Sequence, residues 1–241
     1  MTDKLLRLAA GFFVAVCSAG VNAQISFSDD FESGAITGWL GYVNEFQSGC
    51  ATYNGGYPYT IQADGMGGNV ANLEDDAGNA VLNVFADYGN SNLPGVCIVT
   101  SVFQERNLTA ADAGEYVFNF DYAAGAAPGT VTRAFVKRLD PGAGFATVFN
   151  EGFDTAAAGA GAGTQTFTID ASMAGQLLQF GFENTADGFV DSGRWYDNVT
   201  LDLAPPPPPA APAAPVPALP VWGLLGLVSL VGFLGLRRRR S

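Results

Sequence analysis

The residues able to do chemistry in this 241-residue chain are carboxylates, tyrosines and a few cysteines, because histidine is absent. Without an imidazole, Ser-His-Asp and Cys-His catalysis and His-ligated zinc are excluded. Between Gln24 and Ala204 stand 22 Asp and Glu against five basic side chains (Arg106, Arg133, Lys137, Arg138 and Arg194), a formal −17. Such a surface repels phosphate backbones and argues against nucleic acid as a partner. Two carboxylates about 5–9 Å apart suffice for glycoside cleavage, and Glu45, Glu74, Asp75 and Asp76 are available for it. No strand motif sets two of them across a site, and in so acidic a chain pairs arise by chance, so the expectation is that the chain is not an enzyme. A second set is aromatic. Tyr53, Tyr57 and Tyr59 fall in a loop-like Tyr-Asn-Gly-Gly-Tyr-Pro-Tyr segment, with Trp39, Tyr42 and Tyr88 as further candidates. Aromatic faces with a few polar groups are the kind of surface that grips a sugar, and loop packing around Cys50 is the competing account.

The elements that must position these side chains are strands. From Gln24 to Ala204 short alternating runs are separated by Gly, Asn, Asp and Pro, the pattern of antiparallel strands with one buried face. Tyr116, Phe118, Phe120 and Tyr122 fall on one face of such a run, and Leu178, Phe180 and Phe182 form another core row. Val131, Arg133, Phe135, Lys137 and Leu139 alternate against Thr132, Ala134, Val136 and Arg138. Further strands are expected near 39–46, 59–63, 69–74, 80–88, 97–105, 145–150, 164–169 and 194–203. Together they predict an all-β antiparallel β-sandwich of the jelly-roll type. Ala156 to Gly163 reads as a small-residue loop without function. In the last strand Trp195, Asp197, Val199, Leu201 and Leu203 share parity, which aims the Asp197 carboxylate at the core. Calcium, Arg194 or backbone N–H groups would each satisfy it. Asp64 with Asn69, and Asp187-Gly188 with Asp191, read as plain turns.

The ends carry addresses. Lys4 and Arg7 followed by the apolar run Leu8 to Val16 and the small residues before Gln24 predict a helical signal peptide over 1–23, and hence export. In an oxidising compartment the two cysteines that remain, Cys50 and Cys97, are expected to pair. Prolines and alanines over 205–220 make a stiff linker. The apolar stretch 221–236 predicts one short transmembrane helix in the inner membrane, and the arginines of 237–241 hold the tail in the cytoplasm. The β-domain, 24–204, is then expected outside, membrane-anchored or released to the cell surface or extracellular matrix.

Two resemblances follow from quoted motifs. Val216, Pro217, Ala218, Leu219, Pro220, Val221, Trp222, Gly223 and Leu224, an apolar helix and an arginine cluster resemble the C-terminal sorting signals of the IPTL-CTERM and PEP-CTERM class. That resemblance implies an exosortase-type sorting enzyme as partner. Ser28-Asp29-Asp30-Phe31-Glu32-Ser33-Gly34 with Gly38-Trp39, and Trp195-Tyr196-Asp197-Asn198-Val199-Thr200-Leu201, resemble the first and last strands of carbohydrate-binding-module-like jelly rolls. This second resemblance implies a structural Ca²⁺ held by Glu32 and Asp197, with Asp30 as a further ligand. It also implies a non-catalytic module that meets polysaccharide, against which stands a purely structural or adhesive surface protein with no small-molecule ligand.

Overall fold

The computed structural model describes residues 24–47, 50–59, 70–86, 97–124, 131–156, 159–187 and 192–206. The expected signal helix, the linker beyond Pro206, the sorting motif, the transmembrane helix, Tyr88 and the Asp64 turn all lie outside them. Among the described residues no helix is long and apolar enough to cross a membrane; the helical turns there are three-residue 3₁₀ segments.

Two antiparallel sheets pack face to face. Sheet A orders β10 (Gly161–Ile169), β7 (Gly114–Ala124), β12 (Ser192–Leu203), β5 (Asn79–Ala86) and β4 (Ala71–Asp76), with β1 (Phe27–Asp29) paired to the end of β12. Sheet B orders β3 (Thr52–Tyr59), β2 (Leu40–Gln47), β6 (Cys97–Asn107), β11 (Leu177–Asp187), β8 (Val131–Asp140) and β9 (Ala146–Asp154). The all-β antiparallel sandwich read from the alternation is therefore the observed architecture.

The inward rows supply the core. Phe118 and Phe120 of β7 meet Phe180 and Phe182 of β11 at ring separations of 5.5–5.9 Å. Tyr196 stacks on Phe182 at 3.7 Å. Its buried hydroxyl is satisfied by Thr155 Oγ1 at 2.8 Å, which in turn donates to Thr132 at 3.0 Å. Burying aromatic rings of this size is the main stabilising term of such a sandwich.

Three expectations need correction. The tyrosine segment is not a loop: Thr52–Tyr59 is the edge strand of sheet B, and the strand expected at 59–63 lies, past Tyr59, outside the described residues. Nor is the end of Ala156–Gly163 a bare loop, because Gly161 and Gly163 sit in β10 opposite Tyr122 and Phe120. A Cβ on Gly163 would run into the Phe120 ring, so the missing side chain is what lets that ring lie flat across the neighbouring strand. The third correction is in β12. A bulge there sets Asp197 opposite Asp121 but Thr200 opposite Asn119, with Asn198 at φ 49°. One extra residue exchanges the faces. Tyr196 points into the core alongside Val199 and Leu201, while Trp195 and Asp197 face outward.

Candidate functional site

The outer face of sheet B is built in rows by the strand register. One row runs Leu40, Phe103, Gly181, Phe135, Gly152 across β2, β6, β11, β8 and β9. It is flanked on one side by Tyr42, Ser101, Glu183, Arg133 and on the other by Glu105, Gln179, Lys137, Asn150. An apolar stripe thus lies between two polar ones. Gly181 explains the stripe: a Cβ there would collide with the backbone of Val102 and Phe103. The flanking Phe103 and Phe135 rings lie 6.4 Å apart, and both are buried.

Over this floor lies an open groove of about 670 Å³. One wall is Tyr42, Asn44 and Tyr53 from the β2–β3 hairpin; the other is Leu139, Phe145 and Thr147 from the β8–β9 hairpin. Tyr53 and Phe145 are each 59% exposed, a large apolar area to leave in water on a folded surface. Both walls are held by local geometry. Tyr42, Asn44 and Tyr53 converge over Gly56, where a Cβ would stand 2.7 Å from Tyr42 Cε1 and 2.9 Å from Tyr53 Oη. Burial and the neighbouring, hydrogen-bonded phenol of Tyr53 raise the pKa of the Tyr42 hydroxyl. The Cys50–Cys97 disulfide fastens the β2–β3 turn to the first residue of β6, as expected from the cysteine count. On the opposite wall Phe145 has φ 63°, a conformation a bulky residue rarely adopts. Its N–H donates to the Asp140 carbonyl at 2.8 Å, which fixes that turn.

Polar groups on this outer face of sheet B are partly paired with one another. Gln179 Nε2 donates to Glu105 Oε2 at 2.7 Å. Arg133 and Glu183 form an ion pair at 2.6 Å, and Ser101 donates to the other oxygen of Glu183 at 3.3 Å. Lys137 lies over Phe135 and Phe103, its Nζ 5.1 and 5.9 Å from the ring centroids. Burial lowers its pKa, an effect the nearby Glu183 partly offsets.

Of the residues expected to meet ligand, Tyr53 and Tyr42 are in the groove. Tyr57 is exposed on the same strand but pairs with Val43, on the core-side parity of β2, and does not line the groove. The Tyr59 side chain lies outside the described residues. Trp39 is corrected: it is 4% exposed, packed among Phe27, Phe31 and Phe182, and its indole donates to Asp29 Oδ2 at 2.8 Å. A core ring tied at its polar edge has no face to offer a sugar. Sequence reasoning missed Phe145, Lys137, Gln179 and Glu105 as neighbours. The one available signal was the outward parity of Lys137.

The expected calcium corner lies elsewhere, at the ends of β1, β5 and β12. Glu32 Oε1 accepts the Ala80 N–H at 2.9 Å, and Asp30 Oδ1 accepts the Glu32 N–H at 3.2 Å. Asp197 accepts from Asn79 Nδ2 at 2.8 Å and from the Asn198 N–H at 2.7 Å. A calcium ion needs six to eight oxygen ligands, whereas these carboxylates are met by N–H donors. Among the described residues no three His, Cys, Asp or Glu side chains converge as a metal-binding group. As placed, the residues do not fit the ion. The acids considered for catalysis are separated too: Glu45 is in sheet B, whereas Glu74, Asp75 and Asp76 lie on β4 of sheet A, with Glu74 bonded by Asn72 and Asn83.

No family model and no curated protein matches the chain. Among solved structures it is similar to the CBM22-2 xylan-binding domain from Paenibacillus barcinonensis Xyn10C, at 12% identity over 74% of this chain and 99% of that one, TM-score 0.42. It is also similar to a family 16 carbohydrate binding module-2, at 14% identity over 56% and 86% of the two chains, TM-score 0.39. A third likeness is to the enzymatically active domain of bacteriophage CBA120 tailspike protein 4, at 11% identity and TM-score 0.42, where this chain spans 20% of that one's length. At such identities and TM-scores none of them assigns a site or a ligand here.

Proposed function

We propose that the sandwich is a non-catalytic glycan-binding module whose ligand lies in the groove of sheet B. The observation that carries this reading is the groove itself: two half-exposed aromatic rings, Tyr53 and Phe145, face each other across a floor edged with amide, carboxylate and ammonium groups. A sugar presents apolar ring faces and a rim of hydroxyls, and this surface offers a partner to each. A purely adhesive protein has no need for such a platform. Catalysis is left out of the reading on geometry. Among the described residues that line the groove Glu105 is the one acid, and glycoside cleavage uses a pair of carboxylates.

The test is isothermal titration of the full chain with a panel of neutral and acidic polysaccharides, repeated with Tyr53→Ala. Binding weakened by the substitution supports the proposal; no heat from any glycan overturns it. Export through the leader, anchoring by the C-terminal helix and sorting by an exosortase-type enzyme belong to the same reading and rest on residues 1–23 and 205–241 alone. Mass spectrometry of the protein recovered from cells tests them: a chain still beginning at Met1 contradicts export, and one still ending at Ser241 contradicts processing.

A further inference from the structure

The outer face of sheet B carries two cations that are not equivalent. Arg133 is neutralised by Glu183, with both its Nε and Nη2 within 2.6 Å of the same carboxylate oxygen. Lys137 lines the groove, yet among the described residues no carboxylate lies within ion-pair distance of its Nζ. The charged groups that face it are Glu105 on β6, already bonded by Gln179, Glu183 on β11, already held by Arg133, and Arg133 on its own strand. Register puts Gln179 between Lys137 and Glu105, so their backbones stand two strands apart, about 10 Å. The two phenyl rings beneath Lys137 hold the ammonium by cation–π attraction and keep water from its underside. A partly desolvated ammonium without a counter-ion is costly to keep, and an arriving anion removes that cost.

Resting on the groove reading above, we propose that the glycan bound there is acidic and that Lys137 pairs with a sugar carboxylate. The formal −17 of residues 24–204 works against a polyanion at long range. That field is screened beyond roughly 8 Å at physiological salt, whereas a contact pair on an apolar floor is screened much less. The acidic surface therefore slows approach without cancelling the pair.

The experiment titrates the full chain at 0.15 M salt with polygalacturonate, alginate and glucuronoxylan, each against the same polymer after its carboxyl groups have been reduced to alcohols. At least one uronate polymer is expected to bind about tenfold more tightly than its reduced form, a difference that Lys137→Gln abolishes and Lys137→Arg keeps. Equal affinity for acidic and reduced forms overturns the proposal, and so does a preference that survives in Lys137→Gln. Should Lys137→Gln not fold, Lys137→Met, which keeps the aliphatic stem over the Phe135 and Phe103 rings, takes its place in the same comparison. Neutral binding that Tyr53→Ala weakens, with no preference for acid, removes this inference and leaves the groove reading standing. Silence from every polymer removes both.

Discussion

The two ends of this sandwich use polar side chains in opposite ways. At the β1–β12 corner each acidic group is tied to a donor. Asp29 takes the Trp39 indole and the Phe31 N–H, Glu32 takes the Ala80 N–H, and Asp197 takes Asn79. Asn198, set at φ 49° by the bulge, donates to Asp121 at 2.9 Å and to Asp197 at 3.3 Å, bridging two carboxylates that register places directly opposite each other. The groove of sheet B has the reverse character: exposed rings, an ammonium that forms no ion pair among the described residues, and a glutamine bonded to Glu105. Saturated polar groups close a fold, whereas unsatisfied ones leave something for a ligand to do. The corner is therefore expected to govern stability and the groove to govern binding.

The sharpest way to break that division is Trp39→Ala. It empties a core site that four aromatic rings share and leaves Asp29 Oδ2 without its indole donor, so a loss of about 3–5 kcal/mol is expected in chemical denaturation. Glycan affinity of the folded fraction should be unchanged, and a weakened affinity there would mean that the two regions are coupled. Next comes Cys97→Ser. A bond across a sequence separation of 47 is worth about 4 kcal/mol on the chain-entropy account. It also anchors the Tyr53 wall, so this variant alone should lose both stability and affinity, read by melting and titration on the same sample.

Much of the corner and little of the groove was legible in the sequence, for a physical reason. The core rows at Phe118, Phe120, Phe180 and Phe182 announce themselves by alternation within one strand. The Asp-Phe-Glu opening and the Tyr-Asp-Asn closing segment are contiguous and so can be matched to a known pattern. What they do was misread for Asp197, because a bulge among polar residues leaves no mark on hydrophobic periodicity, and one inserted residue exchanged the faces of Trp195 and Tyr196. The groove depends on register between strands distant in the chain. Glu105, Gln179 and Lys137 become neighbours only when β6, β11 and β8 pair, and nothing local to any of them states that offset. Gly56 makes room for the rings of Tyr42 and Tyr53, and Gly181 for the backbone of Val102 and Phe103, roles that only their placed neighbours reveal.

A smaller effect is expected from the groove side. Tyr53→Ala and Phe145→Ala remove rings that are mostly in water, so stability should move by less than about 0.5 kcal/mol. Affinity for a bound glycan should fall about tenfold for each, measured by titration, since each removes one aromatic wall. Should either variant melt far below the parent chain, the ring is structural and the division between corner and groove weakens.

The smallest effect is expected where the first-and-last-strand motif implies the largest. If calcium bridged Glu32 and Asp197, a concentration a hundredfold above its dissociation constant would stabilise the chain by about 2.7 kcal/mol. For a domain of this size that corresponds to roughly 5–10 °C in melting temperature. The N–H donors of Ala80, Asn79 and Asn198 already meet those carboxylates, and among the described residues no third acidic side chain converges with them to complete a set of oxygen ligands. The melting temperatures in excess calcium and in chelator are therefore expected to agree within about 1 °C. A shift of several degrees that both Glu32→Gln and Asp197→Asn abolish would return the corner to the metal, and would show that its hydrogen bonds are a resting arrangement that a cation can replace.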